Sequence, residues 1–197
     1  MALVNYATHE INVKIVYYGV GLCGKTTNLQ KVYQRIPGES KGKLAIVPTQ
    51  GDRTIFLDFF PFEVGEIKGF KVRFHIFTVP GQVFYNTTRK LVLRGADGVV
   101  FVADSQIEAF DSNRLSFHNL KENLLEEGKK LDRFPLVIQY NKRDLPNIST
   151  IDVLNRLLNE YNVPFFEAVA SQGRGVVETL RSIGKAVIKE VRPMVQK

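Results

Sequence analysis

The stretch GVGLCGKT, residues 19–26, constrains this chain more than any other. It fills every fixed position of the phosphate-loop pattern G-x-x-x-x-G-K-[ST]. It directly follows the apolar, β-branched run NVKIVYYG (12–19), which predicts a strand, and it opens a helix over 25–35 that stops before Pro37 and Gly38. Glycine lets the backbone curl so that successive N–H groups converge on phosphate oxygens. The helix adds the positive end of its dipole. In that arrangement Lys25 reaches the β- and γ-phosphates and the Thr26 hydroxyl ligates Mg²⁺. The nucleotide-contacting residues of this segment are Gly19, Gly21, Leu22, Cys23, Gly24, Lys25, Thr26 and Thr27. Cys23 has two readings: a thiol activated at a helix N-terminus, or a small side chain packed under the loop.

The remaining chain sets the fold around this loop. Residues 37–53 run without periodicity, as a functional loop does. TIFLDFFPF (54–62) and FKVRFHIFTV (70–79) predict aromatic-rich strands, joined antiparallel through EVGEIKG as a hairpin turn. DGVVFVAD (97–104) and FPLVIQYN (134–141) have the nearly unbroken apolar character of central parallel strands. A helix over 111–128 offers Leu115, Leu120, Leu124 and Leu125 to an inner face. A short helix at 150–160, a strand at 163–170 and an amphipathic helix at 175–191 close the chain. The order is βα, a β-hairpin, then αβαβαβα. This predicts one three-layer α/β sandwich over residues 1–197, mostly parallel with one antiparallel strand and right-handed crossovers. Ligand residues then gather at the carboxyl ends of the strands.

NKRD, residues 141–144, follows the buried strand and matches the guanine-reading pattern N-K-x-D. A carboxylate at Asp144 accepts from both N1–H and the 2-amino group of guanine, and adenine lacks that pair of donors. Lys142 lays its stem on the base, and Asn141 ties this loop to the phosphate loop.

These motifs, with KIVYYGVGLCGKTTNLQ, RFHIFTVPGQVFYN, RKLVLRGADGVVFVADSQ and QYNKRDLPN, resemble the Ras-like small GTPases, and most closely the bacterial cell-polarity branch, the mutual gliding protein A family. The resemblance implies the small GTPase fold of the P-loop NTPases, with GTP or GDP and Mg²⁺ as cofactors. It places Ala170 of EAVA (167–170) with its N–H near guanine O6, and Gly81 of TVPGQ (78–82) at the γ-phosphate. Gln82 then orients the attacking water. Thr54 gives its hydroxyl to Mg²⁺ alongside Thr26, and Arg53 supplies a cationic finger in cis; a solvated loop arginine is the plainer reading of Arg53. Thr78 stands where most small GTPases carry an Mg²⁺-supporting aspartate, a feature this branch shares. Asp58 reads as a strand carboxylate paired with Arg73 or His75, or as Mg²⁺ support.

The resemblance further implies cell polarity and gliding motility. It implies a roadblock-domain GTPase-activating protein of the mutual gliding protein B type, effectors that bind the GTP state at the cell pole, and a shift of the hairpin 54–79 on activation. A GTP-binding adaptor with negligible turnover is the alternative. An ATP-using kinase is a third reading, and NKRD argues against it. Composition adds bounds. There are 27 Lys and Arg against 20 Asp and Glu, a formal charge of +7, without a basic tract or basic-aromatic repeat, so nucleic acid is not the expected partner. The single cysteine excludes an intrachain disulfide. MALVNYATHE lacks a signal-peptide plan and VRPMVQK lacks a prenylation box, so the expected protein is cytoplasmic, without a lipid anchor.

Overall fold

A computed structural model describes residues 2–45, 59–82 and 85–195. Arg53, Thr54 and Asp58 lie outside the described residues.

The chain begins with β1 (Leu3–Asn5), β2 (Glu10–Gly19) and α1 (Lys25–Arg35). The hairpin β3 (Phe59–Ile67) and β4 (Phe70–Thr78) leads to α2 (Asn86–Leu93). Then come β5 (Gly98–Asp104), α3 (Phe110–Glu126), β6 (Leu136–Asn141), α4 (Ile151–Leu158), β7 (Phe165–Glu167) and α5 (Val176–Val191). The sheet runs β3-β4-β2-β5-β6-β7, with β1 beside the start of β2. All neighbours from β4 to β7 are parallel. β3 is antiparallel to β4, as the sequence predicts, and β1 is a second antiparallel strand that the sequence reading leaves out. Three residues are too few to show an alternation of apolar and polar positions.

Side-chain alternation along β2 builds both layers of core. Ile11, Val13, Ile15 and Tyr17 point to one face, where they pack with Leu29 and Val32 of α1 and Ile183 and Val187 of α5. Val16 and Tyr18 point to the other, with Val92 and Leu93 of α2, Phe117, Leu120 and Leu124 of α3, and Leu154 and Leu158 of α4. α5 sits so close to the sheet that a Cβ on Gly98 would meet Val187 Cγ2 at 2.6 Å. The site-bearing ends of β2, β4, β5 and β6 therefore share one edge of a sheet clamped from both sides.

Two expectations need correcting. EVGEIKG is not a turn throughout. β3 continues to Ile67 through a bulge between Glu63 and Gly65, and the turn is Lys68-Gly69, both at positive φ (50° and 81°). A two-residue turn with both residues left-handed matches the twist of its strands, so pairing extends to the tip. On α3, Leu115 and Leu125 are 55% and 63% exposed. The buried face instead joins Phe117, Leu120 and Leu124 to Asn113, Ser116, Asn119 and Asn123. A polar stripe that faces inward defeats a reading by apolar periodicity.

Candidate nucleotide site

The phosphate loop begins where β2 ends. Gly19 has φ 146° and Gly24 φ 101°. A side chain at Gly19 would run into the Val102 carbonyl oxygen on β5, and one at Gly24 into the amide nitrogen of Asn141 on β6. Both glycines are therefore required by close approach as well as by conformation. Gly24 is the N-cap of α1, so the helix N-terminus opens directly from the phosphate loop. Lys25 is 7% exposed, and its Nζ donates to Gly19 O (3.1 Å) and Val20 O (2.6 Å). The loop's own carbonyls thus hold the ammonium at the site before any phosphate arrives. Beneath α1, Asn28 and Gln139 exchange a pair of amide hydrogen bonds (2.8 and 3.0 Å), and Gln139 also donates to Thr179 (2.9 Å), so helix, sheet and α5 are braced together. Cys23 is fully buried, and burial pushes its thiol pKa up. A protonated, enclosed thiol is a packing residue, which decides between its two readings.

β6 delivers the guanine motif beside this loop. Asn141 Nδ2 donates to Cys23 O (2.7 Å), as the sequence predicts, and Asn141 Oδ1 accepts from Ala170 N (2.9 Å). One side chain therefore joins the phosphate loop, NKRD and EAVA. The Ala170 N–H, which the resemblance places near guanine O6, donates to Asn141 here. A buried N–H needs a partner, and the asparagine supplies it. Lys142, at φ 65°, forms an ion pair with Asp104 Oδ2 (2.6 Å) at the end of β5. Asp144 is exposed on this loop. Arg143 secures the loop from behind: its backbone N–H donates to Ala168 O (3.1 Å), Nε to Glu167 (3.0 Å) and Nη1 to Ser149 O (2.7 Å).

The hydrolytic side lies at the end of β4. Thr78 pairs with Tyr17 and is 1% exposed. Beyond it, Gly81 lies so close to the phosphate loop that a Cβ would run into the backbone of Gly21 and Val20. Gly21, Leu22, Gly24, Lys25, Thr26, Thr27, Gly81 and Gln82 line one cleft of about 400 Å³, joined by Val79 and Tyr85. This brings together eight of the residues named from sequence. It adds Tyr85, which a single sequence does not distinguish from any loop aromatic. Asp104 was also missed, although an acid closing the buried run GVVFVAD is a signal for a residue at the ligand edge. The fit to a guanine nucleotide is good: a cradle too tight for side chains, a helix N-terminus, a held lysine and an exposed aspartate on an adjoining loop.

Comparison with known proteins points the same way. The model of the Arf: ADP-ribosylation factor family matches residues 2–187. The mutual gliding-motility protein MglA of Myxococcus xanthus (strain DK1622) is 56% identical over 192 residues, covering 98% of each chain. ADP-ribosylation factor-like protein 6 of Caenorhabditis elegans is 32% identical over 143 residues, 71% of this chain and 65% of that one. Ras-related protein Rab-5B of Plasmodium falciparum (isolate 3D7) is 26% identical over 120 residues, 60% of this chain and 55% of that one. The chain belongs to the ADP-ribosylation factor family, as a bacterial small GTPase of the MglA type that binds guanine nucleotide and hydrolyses GTP.

Proposed function

We propose that this GTPase is a polarity or motility switch, that its nucleotide site consists of the residues assembled above, and that the GTP-bound form recruits partners through residues 37–54 and 79–90. The observation that carries the site assignment is Asn141, whose two hydrogen bonds hold the phosphate and guanine loops in one unit. Gly19, Gly21, Leu22, Cys23, Gly24, Lys25, Thr26 and Thr27 contact the phosphates, and Asn141, Lys142, Asp144 and Ala170 form the base end. Thr26 and Thr54 would hold Mg²⁺, which neutralises charge on the phosphate oxygens as the β–γ bond breaks. Gln82 orients the water that attacks the γ-phosphorus, and Arg53 meets the charge that develops there. GDP and phosphate leave, and the loops relax because no γ-phosphate remains to hold the backbone near Gly81.

The polarity role rests on likeness to a protein described as a mutual gliding-motility protein. By the same likeness the regulator is a roadblock-domain activating protein of the mutual gliding protein B type. A pull-down from bacterial lysate tests the switch. Protein loaded with a non-hydrolysable GTP analogue should retain partners that GDP-loaded protein does not, and identical sets would refute it.

Lys25→Ala and Thr26→Asn test the phosphate end. Lys25→Ala removes the held ammonium and should weaken nucleotide binding. Thr26→Asn should bias the protein towards its GDP-like state by withdrawing a Mg²⁺ ligand. Fluorescent-nucleotide titration checks both, and affinities equal to the parent's for GTP analogue would remove these side chains from the site.

Recruitment to a pole has a second conceivable route. Among the described residues no helix is long and apolar enough to cross a membrane. Arg181, Lys185 and Lys189 form an exposed stripe on α5. Each basic residue near anionic lipid contributes about 1 kcal/mol, which without an apolar anchor gives weak, salt-sensitive binding. The stripe also lies far in sequence from the residues of the cleft. Charge reversal of all three to glutamate should leave GTP-dependent foci intact by fluorescence microscopy. A diffuse variant that still binds GTP would assign recruitment to the membrane.

A further inference from the structure

Arg89 on α2 is 0% exposed, yet the sequence gives its side chain no role. Its guanidinium serves two segments at once. Nε donates to Pro80 O (2.9 Å) and Nη2 to Gly81 O (2.8 Å), both just beyond β4. Nη2 also reaches Gly19 O (3.3 Å), at the start of the phosphate loop. The same Gly19 carbonyl accepts from Lys25. Nη1 donates to Asn119 Oδ1 (2.7 Å) on α3, and Nη2 lies 3.4 Å from Ser116 Oγ. The Tyr18 ring stacks 4.8 Å from the guanidinium carbon. Asn119 is itself fixed, since Tyr18 OH donates to its Oδ1 (2.6 Å) and its Nδ2 donates to Asn86 (3.0 Å).

Among the described residues, the five hydrogen-bond acceptors of Arg89 are all neutral and none is a carboxylate. Burying a guanidinium among such partners is costly, and burial lowers its pKa. A hydrophobic side chain would fill the space more cheaply, so volume alone does not account for an arginine there. What only a planar fork with five donors achieves is the bridging of three carbonyls on two separate segments.

We infer that Arg89 is a positioning residue: it clamps Pro80 and Gly81 against the phosphate loop and so sets where Gln82 stands relative to the γ-phosphate. The inference rests on the reading of Gln82 as the water-orienting residue. Gly81 already lies against Gly21, and Gln82 is the next residue along the same backbone. Releasing the clamp lets the whole segment move off the loop, while the cradle, built from Gly19, Gly24 and Asn141, keeps its form. A displacement of about 1 Å at a reacting group costs on the order of 100-fold in rate. A lysine keeps the charge but cannot hold two segments at fixed geometry.

The test uses the full chain with Arg89→Lys, Arg89→Ala, Asn119→Ala and Gln82→Leu. Three quantities are read: single-turnover GTP cleavage, GDP affinity, and amide hydrogen exchange over residues 79–82. Arg89→Lys should slow cleavage by about 10- to 100-fold, keep GDP affinity within about threefold, and speed exchange over 79–82. Asn119→Ala removes the shorter of the two α3 contacts of Arg89, together with the bonds Asn119 makes to Tyr18 and Asn86, and should do the same more weakly. It carries the test with Arg89→Lys if Arg89→Ala does not fold. Parental exchange in the Arg89 variants overturns the clamp. So does parental cleavage in Arg89→Lys when Gln82→Leu is slow. Loss of GDP affinity in step with cleavage, in both Arg89→Lys and Asn119→Ala, also overturns it, because that is the mark of a general scaffold residue. If Gln82→Leu cleaves normally, the Gln82 reading has failed by itself, and the exchange data still judge Arg89.

Discussion

Asp144→Asn is expected to exchange guanine preference for xanthine preference with little effect on the fold. Its carboxylate lies exposed on a loop that other residues hold in place. Asn141 binds that loop to Cys23 and Ala170, and Arg143 binds it to Glu167, Ala168 and Ser149. The substitution therefore removes no support, and an exposed change of this kind stays within about 0.5 kcal/mol of parental stability. Recognition is another matter. A guanine above the loop offers N1–H and the 2-amino group to two carboxylate oxygens. An amide keeps one acceptor and turns the other into a donor, which faces the 2-amino group unfavourably. Xanthine carries an oxygen at that position and restores the pair. Sites built around such hydrogen bonds reject the mismatched ligand by on the order of 10⁴–10⁵-fold. The check is competition of GDP and XDP against a labelled nucleotide, for parent and variant. Parental GDP affinity in the variant would take Asp144 out of the base site.

The legible part of this protein is the part whose function depends on backbone shape or on a fixed spacing. The phosphate loop could be read because phosphate binding demands glycines at set intervals between a strand and a helix, and two of them, Gly19 and Gly24, have no room for a Cβ. NKRD could be read because a buried strand precedes it. The parallel strands announced themselves as unbroken apolar runs, and the alternation along β2 assigns its side chains to two cores. That Asn141 ties its loop to the phosphate loop is legible from the motif, though its partner there, Cys23 O, is not.

What remained hidden shares one cause. Polar residues that face inward look, in sequence, like polar residues that face water. Asn113, Ser116, Asn119 and Asn123 are all buried on α3, so the helix was assigned Leu115 and Leu125 for a face they do not occupy. Arg89 sits in RKLVLRG, where an arginine ordinarily marks the solvated side of a helix. Its burial becomes visible only once the carbonyls of Gly19, Pro80 and Gly81, far apart in sequence, are seen to converge on it. The hydrogen bond from Ala170 N to Asn141 is hidden for the same reason, since a backbone donor's partner is a property of the fold.

Gln82→Leu and Arg53→Ala are expected to leave GTP bound and uncleaved. Gln82 lines the cleft beside Gly81, outside the loop that cradles phosphate. Its loss therefore spares the glycine amides and Lys25 that hold the nucleotide. Leucine fills similar volume but can neither accept from nor donate to a water, so the nucleophile loses its alignment. Arg53 belongs to the long segment ahead of β3 and adjoins Thr54 in sequence. As a cation supplied in cis it would act on charge that grows only as the β–γ bond breaks. Its removal should then lower the cleavage rate and hardly touch GTP affinity, because an interaction made only in the transition state does not contribute to ground-state binding. Each substitution should slow single-turnover cleavage by on the order of 10²–10⁵, a barrier increase of about 3–7 kcal/mol. The deficit should persist when the proposed activating protein is added, since an activator that only orders these segments cannot replace a missing side chain. Quench-flow measurement of phosphate release with and without the activator reads both variants. Normal stimulated turnover in Arg53→Ala would make that arginine a solvated loop residue, and the same result in Gln82→Leu would leave the orientation of water to another group.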